Sequence, residues 1–266
     1  MTMHPPRSAQ MSGADDAPPA ADLPDDAFAY RIGTSVLTEF ALGHTPADVL
    51  RELVQNEYDA TGTTMHVEFD DDALTVTGNG KVIDATGWRR LSVMLGTGAV
   101  AGSSDVINKK TNGIGSKNFG LRSLFLFGDR LSVRSGGRYT VLDWKHGALP
   151  SPRDHPASAS RPGVVVNVGY RQDDRDGLPP FGPDKERQAL EDIARELAPT
   201  LIKLADPAAA KSVNTVSVRS RRTGADLHWQ QRVRPLDSRT PGVLRTVRVS
   251  QKGSWHIPDV PLRLHE

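Results

Sequence analysis

The chain has 266 residues, 37% of them hydrophobic, a formal net charge of +1 and no cysteine, which allows one large or two small domains around a packed core. Disulfide frameworks, thiolate nucleophiles and cysteine-bound zinc are excluded. There is no long uninterrupted apolar run and no basic N-terminal stretch followed by an apolar one, so neither a membrane span nor a secretory signal is expected, and a cytoplasmic location is the default.

In chain order, residues 1–27 are rich in Pro, Ala and Asp and hold almost no large apolar side chains. Nothing there offsets the entropy of ordering the backbone, so a disordered acidic leader is expected. HTPADVLRELVQNEYDA then carries a helix start: Thr45 as cap, Pro46 in the first turn and Asp48 three residues after the cap. TTMHVEF and ALTVTG, separated by DDD, predict a hairpin. ATGWRRLSVML predicts a helix stopped by the glycines at Gly96 and Gly98. The following Gly-, Ser- and Asn-rich segment is long enough to expect a functional loop.

FGLRSLFLFG predicts a short helix, and DRLSVRSGGRYTVLDWKHG predicts two strands around a Gly-Gly turn. VVVNVGY reads as a strand. DKERQALEDIARELAPTLIKLAD reads as an amphipathic helix with Leu190, Ile193, Leu197, Leu201 and Leu204 on its apolar face. The remainder reads as strands. The fold class expected is α+β: a two-layer sandwich with one mixed, mostly antiparallel sheet covered by helices on one face.

Charge is uneven along the chain. Residues 1–28 hold five Asp and one Arg, whereas residues 211–266 hold eleven Lys and Arg against four Asp and Glu. The basic end suits nucleic acid or an acidic protein, while VSVRSRR and LRTVRVS equally describe solvated strand faces. The eight His show no H-E-x-x-H spacing, so no zinc site is expected, and Trp88, Trp144 and Trp229 are read as packing residues.

Chemistry concentrates in RELVQNEYDA, where Glu52, Asn56 and Asp59 follow at steps of four and three and stack along one helix face. A carboxylate one turn from an amide offers a proton acceptor for water and a neutral oxygen ligand for Mg²⁺. Two glycine-bearing turns follow: TVTGNGKVID after a strand, and NGIGSKNFGLRS before a helix. Glycine lets the backbone approach a ligand, and amides at a helix start bind phosphate oxygens. Neither turn matches G-x-x-x-x-G-K-[ST] or G-x-G-x-x-G.

The order E-x-x-x-N-x-x-D-A, glycine turn, flexible segment, then G-x-K-x-x-G-x-x-S resembles the GHKL ATPase superfamily of gyrase, the ninety-kilodalton heat-shock chaperones, histidine kinases and MutL. GIGSKNFGLRSLF is most similar to the sacsin-type chaperone ATPases, and the resemblance spans about Thr45 to Val168. It implies a Bergerat-type ATP-binding fold over residues 28–205, with residues 206–266 as a basic strand-rich extension that begins a second domain. It also implies that Glu52 activates the attacking water, that Asn56 binds Mg²⁺ and through it the phosphates, and that Asp59 lines the nucleotide pocket with the corner Gly78, Asn79 and Gly80. The amides around Gly113, Gly115 and Gly120, with Lys117, would hold the phosphates, and Ser123 would anchor the helix that starts there. Residues 96–112 would form a lid, with Lys109 or Lys110 reaching the γ-phosphate.

The base-reading subsite departs from the family. Gly78 stands where an aspartate that accepts from the adenine amino group is usual, Val82 where a second glycine is usual, and Val164 where a threonine is usual. Adenine would then be read by water, by backbone, or by Asp84 or Thr77; otherwise another base is preferred, or the site has lost nucleotide. The expected function is Mg-dependent binding and slow hydrolysis of ATP, with lid closure coupled to a further domain or partner protein, in a chain that is part of a longer polypeptide. A dimer is compatible with this, and no membrane partner is expected. The competing expectation is a degenerate GHKL fold that binds nucleic acid or protein without catalysis.

Overall fold

The computed structural model describes residues 27–29, 42–88, 91, 98–100, 121, 123–143, 152–155, 163–175, 177–206, 211–235, 243–251 and 254–256. The strands are β1 (Ala27–Ala29), β2 (Thr64–Phe69), β3 (Ala73–Gly78), β4 (Gly98–Val100), β5 (Arg130–Ser135), β6 (Arg138–Asp143), β7 (Arg153–Asp154), β8 (Val164–Gly169), β9 (Ala205–Asp206), β10 (Lys211–Ser212), β11 (Thr215–Ser220), β12 (Asp226–Pro235), β13 (Val243–Gln251) and β14 (Ser254–His256). The long helices are α1 (Pro46–Asp59) and α2 (Pro183–Lys203), and a short 3-10 helix spans Ser123–Leu126.

Helix α1 begins where its cap signal lies. The Thr45 hydroxyl accepts from the Asp48 amide at 3.1 Å, and the Asp48 carboxylate accepts from the Thr45 amide at 3.0 Å. This reciprocal box satisfies donors that a helix start leaves open, a contribution of about 1 kcal/mol. Val49, Leu50, Leu53 and Val54 turn inward from it.

A 10-stranded sheet runs in the order β14-β13-β12-β11-β2-β3-β8-β5-β6-β7. Among the described pairs in it, β11–β2 is parallel and the rest are antiparallel. The fold is therefore α+β with a mixed, mostly antiparallel sheet. The β2–β3 hairpin sets Phe69 opposite Leu74. Alternation along β2 buries Met65, Val67 and Phe69 and leaves His66 and Glu68 exposed, so its other face meets water. The turn between β5 and β6 carries Gly136 and Gly137 at φ 56 and 78, the primed-turn geometry that matches strand twist.

Helices α1 and α2 pack against each other, α1 also touches β2, and α2 touches β12 and β13. Phe69, Phe127 and Phe181 meet beneath them at centroid distances of 6.3, 6.3 and 4.8 Å. Trp88 and Trp229 are buried in this core, as packing residues should be, while Trp144 lies outside the described residues. No helix among the described residues is long and apolar enough to cross a membrane.

Three expectations shift. Ala27, placed at the end of the leader, already pairs with Val100 in the β1–β4 ladder, and Gly98, expected as a helix stop, lies in β4. Cross-strand pairing supplies what the local composition of either segment lacks. Beyond residues 205 and 206 the sheet continues: β11 lies directly against β2 and carries β12 to β14 with it. The short helix expected in FGLRSLFLFG is a single 3-10 turn.

Helix α2 buries one carboxylate completely. Glu186 is 0% exposed, accepts from the Ser220 hydroxyl at 2.5 Å, and has Arg222 Nη1 at 3.6 Å. Burial pushes its pKa above the ordinary 4.5, against the Ser220 hydrogen bond and the Arg222 charge, and Asp71 adds to the rise. Below pH 4.5 both folded and unfolded chains hold this proton; above it the unfolded chain releases its proton first. Glu186 therefore favours the folded state at low pH and loses that contribution as pH rises through its folded value. Urea midpoints of wild type minus Glu186→Gln should fall with rising pH over that window, and a flat difference would refute the assignment.

Candidate functional site

Beside α1 opens a cleft of about 420 Å³. One wall is the helix itself, which contributes Leu53, Asn56, Glu57, Asp59 and Ala60. A second wall is the chain that leaves β3, from Lys81 to Asp84 with Gly87. Inward residues of three neighbouring strands form the floor: Met65, Val76 and Gly78, then Val164 and Val166. Leu91 and Leu121 complete the lining, so the interior is largely apolar, with polar groups concentrated on the helix side. Pockets of this size and character suit small organic ligands.

The corner after β3 is tied to the end of α1 by successive main-chain amides. The Asn79 and Gly80 N–H groups donate to Glu57 Oε1 at 2.7 and 2.6 Å, and the Lys81 N–H donates to the Ala60 carbonyl at 2.8 Å. The Asn79 side chain turns away from the cleft. Its Oδ1 accepts from the Thr63 and Thr64 amides at 2.8 and 2.9 Å, and its Nδ2 donates to Thr63 Oγ1 at 3.1 Å, pinning the start of β2. On the far side, Ser135 Oγ donates to the Gly163 carbonyl at 2.7 Å and accepts from the Ile83 amide at 3.0 Å. The cleft thus has a braced frame on both walls.

Glu57 is 7% exposed. Its carboxylate fits only because two neighbours, Gly62 and Gly78, lack side chains, and a third, Gly80, keeps the contact loose. A Cβ on Gly78 would lie 1.9 Å from Glu57 Oε2, one on Gly62 would lie 1.7 Å from Oε1, and one on Gly80 would lie 3.2 Å from Oε1. Burial pushes the Glu57 pKa up, while the two amide hydrogen bonds pull it down. A carboxylate is therefore present at the corner where Gly78 suggested that one was missing. It comes from the helix, and the strand glycine makes room for it.

Of the residues that the sequence marks, Asn56, Asp59 and Gly78 line the cleft, with Val82, Asp84 and Val164 also on its wall. Asn79 and Gly80 act through their amides, as just described. Asp84 is partly committed, since its Oδ1 accepts from the Gly87 amide at 2.6 Å and so caps the helical turn at 85–88. Thr77 is not among the lining residues. Glu52 is partly exposed, one helical turn before Asn56, and it too is not among the lining residues. Ser123 is buried at the start of the 3-10 helix. Gly113, Gly115, Lys117 and Gly120, together with Lys109 and Lys110, lie outside the described residues.

Glu57 is the member of the site that the sequence analysis passes over. The usable signal is a pair: a glutamate beside Asn56 and a glycine, Gly78, where the resemblance leads one to expect an aspartate. No protein-family model matches the chain, and a search of curated proteins finds no match.

Proposed function

We propose that this chain is a GHKL-type nucleotide-binding module, a two-layer sandwich with both long helices on one face of the sheet, that binds Mg-ATP in the cleft beside α1 and hydrolyses it slowly. The observation that carries this proposal is the cleft: Asn56 and Asp59 line a 420 Å³ pocket together with apolar strand residues and Gly78, at the corner tied to the end of α1.

The donor set fits a magnesium ion that arrives with its phosphates. Asn56 offers a hard amide oxygen, and among the described residues no group of three or more His, Cys, Asp or Glu could make a dedicated metal cage. Mg²⁺ usually takes one or two protein oxygens and completes its shell with phosphates and water. Bound there, it would supply neutralisation of phosphate charge. The chain's own groups would do the rest. Asn56 and Asp59 orient the ligand, the apolar floor takes the base, the amides around Gly113, Gly115 and Gly120 with Lys117 hold phosphate oxygens, and Glu52 takes a proton from the attacking water. Closure of residues 96–112 would be passed to a further domain or a partner protein in the cytoplasm.

The test is linkage between ligand and stability. Free Mg-ATP at one hundred times its Kd should stabilise the fold by about 2.7 kcal/mol, or roughly 5–10 °C in melting temperature for a chain of this size. Asn56→Ala should lose the part of that shift that EDTA removes from wild type. If no nucleoside triphosphate with Mg²⁺ moves the melting temperature, the proposal is wrong; a shift with DNA or RNA instead would favour the non-enzymatic binding module.

A further inference from the structure

We propose that Glu57 is the specificity-determining acceptor of the cleft, reading one N–H donor on the base, so that the site selects a 6-amino purine over a 6-oxo purine. This rests on the nucleotide reading above and adds the residue that chooses the base.

The argument begins with lone pairs. Oε1 of Glu57 accepts two main-chain amides, from Asn79 and Gly80, which commits both of its in-plane acceptor sites. Oε2 has no hydrogen-bond or ion-pair partner among the described residues. The same two amides fix the carboxylate rotationally, and Gly62 and Gly78 leave it no space to be replaced by a neighbouring side chain. Among the described residues Oε2 is therefore an oriented acceptor without a partner, on a carboxylate held by two amides.

A carboxylate repels phosphate, so this end of the cleft takes the uncharged part of a nucleotide. Met65, Val76, Val164 and Val166 line the cleft as apolar surface for a flat heteroaromatic ring. Of the purines, adenine offers a single exocyclic amino donor at position 6. Guanine offers two adjacent donors, which need both carboxylate oxygens, and Oε1 is taken. Hypoxanthine turns a carbonyl oxygen toward that edge, setting acceptor against acceptor. The matched donor makes a charge-assisted hydrogen bond, and its loss leaves Oε2 unsatisfied.

Gly78 gives the inference a second, independent handle. Since a Cβ there would point to within 1.9 Å of Oε2, an aspartate at 78 would bring its carboxylate into the space that Glu57 now fills, provided residue 57 is shortened. The double variant Glu57→Ala with Gly78→Asp should restore the preference that Glu57→Ala alone loses.

The experiment is calorimetric titration of the full chain with the Mg²⁺ salts of ATP, inosine triphosphate, purine riboside triphosphate and GTP. Wild type should bind ATP about 10- to 100-fold more tightly than purine riboside triphosphate, with inosine triphosphate and GTP weaker still. Glu57→Gln must keep its amide oxygen on the Asn79 and Gly80 N–H groups and so turns its amino end to the ligand, a donor against the adenine amino group, so it should bind inosine triphosphate at least as tightly as ATP. Equal binding of all four by wild type overturns the inference and leaves the nucleotide reading standing, whereas binding of none overturns both. A full ATP preference in Glu57→Gln overturns the role of Glu57. Should the single variants unfold, the wild-type ratio and the double variant decide: no ATP preference in the folded double variant counts against the carboxylate.

Discussion

Replacing Glu52 by alanine is expected to slow release of inorganic phosphate about 100- to 10,000-fold while the Mg-ATP-induced rise in melting temperature persists. The separation of the two effects follows from position. Four residues along an α-helix advance about 6 Å, which sets Glu52 one turn beyond Asn56 toward the start of α1. There it is partly exposed and outside the described lining, whereas Asn56 is inside it. A group that only removes a proton from water belongs at such a margin, where water reaches it and the ligand's buried part does not. Glu52→Gln is the sharper test because it keeps size and hydrogen bonding and removes basicity. Wild-type turnover in Glu52→Gln, measured under saturating Mg-ATP, would remove Glu52 from the mechanism. Turnover lost together with binding would make it a ligand contact.

The extent to which the sequence foretells this molecule depends on how local each determinant is. Helix α1 is legible because its cap, its proline and its apolar spacing all lie within one short stretch. The β2–β3 hairpin is legible for the same reason, since three acidic residues separate two alternating runs. The parallel pairing of β11 with β2 is not, because Thr215 and Thr64 carry no mark that they will be neighbours. Strand propensity says that a segment will pair and says nothing of its partner.

The site divides in the same way. Asn56 and Asp59 are legible because chemistry of one kind recurs at helical spacing on a single element. Glu57 is hidden because its role is shared with glycines at 62 and 78, and a glycine's contribution there is the volume it leaves empty. Read one position at a time, Glu57 is an ordinary helical acid and Gly78 is a lost one. Only the 1.9 Å approach joins them into one feature.

Arg171→Met should destabilise the fold by about 3–5 kcal/mol, which for a chain of this length lowers the melting temperature by roughly 6–20 °C. The guanidinium is 2% exposed and has three partners: Nη2 donates to the Phe125 carbonyl at 2.6 Å, Nη1 to the Leu126 carbonyl at 3.4 Å, and Nε to Asp129 Oδ1 at 2.8 Å. Two of these are carbonyls at the end of the 3-10 helix, which no continuing helix can satisfy. Methionine fills much of the space and leaves those oxygens dry, while Asp129 keeps Arg175 at 2.6 Å as its second partner. The cost therefore falls mainly on the turn that carries Ser123, directly after the glycine turn proposed to hold phosphate. Lysine should rescue little, since an ammonium cannot reach the fork's three directions at once. Thermal melting of Arg171→Met and Arg171→Lys measures this; a loss below about 1 kcal/mol in both would mean that this buried guanidinium contributes no more than an exposed ion pair does.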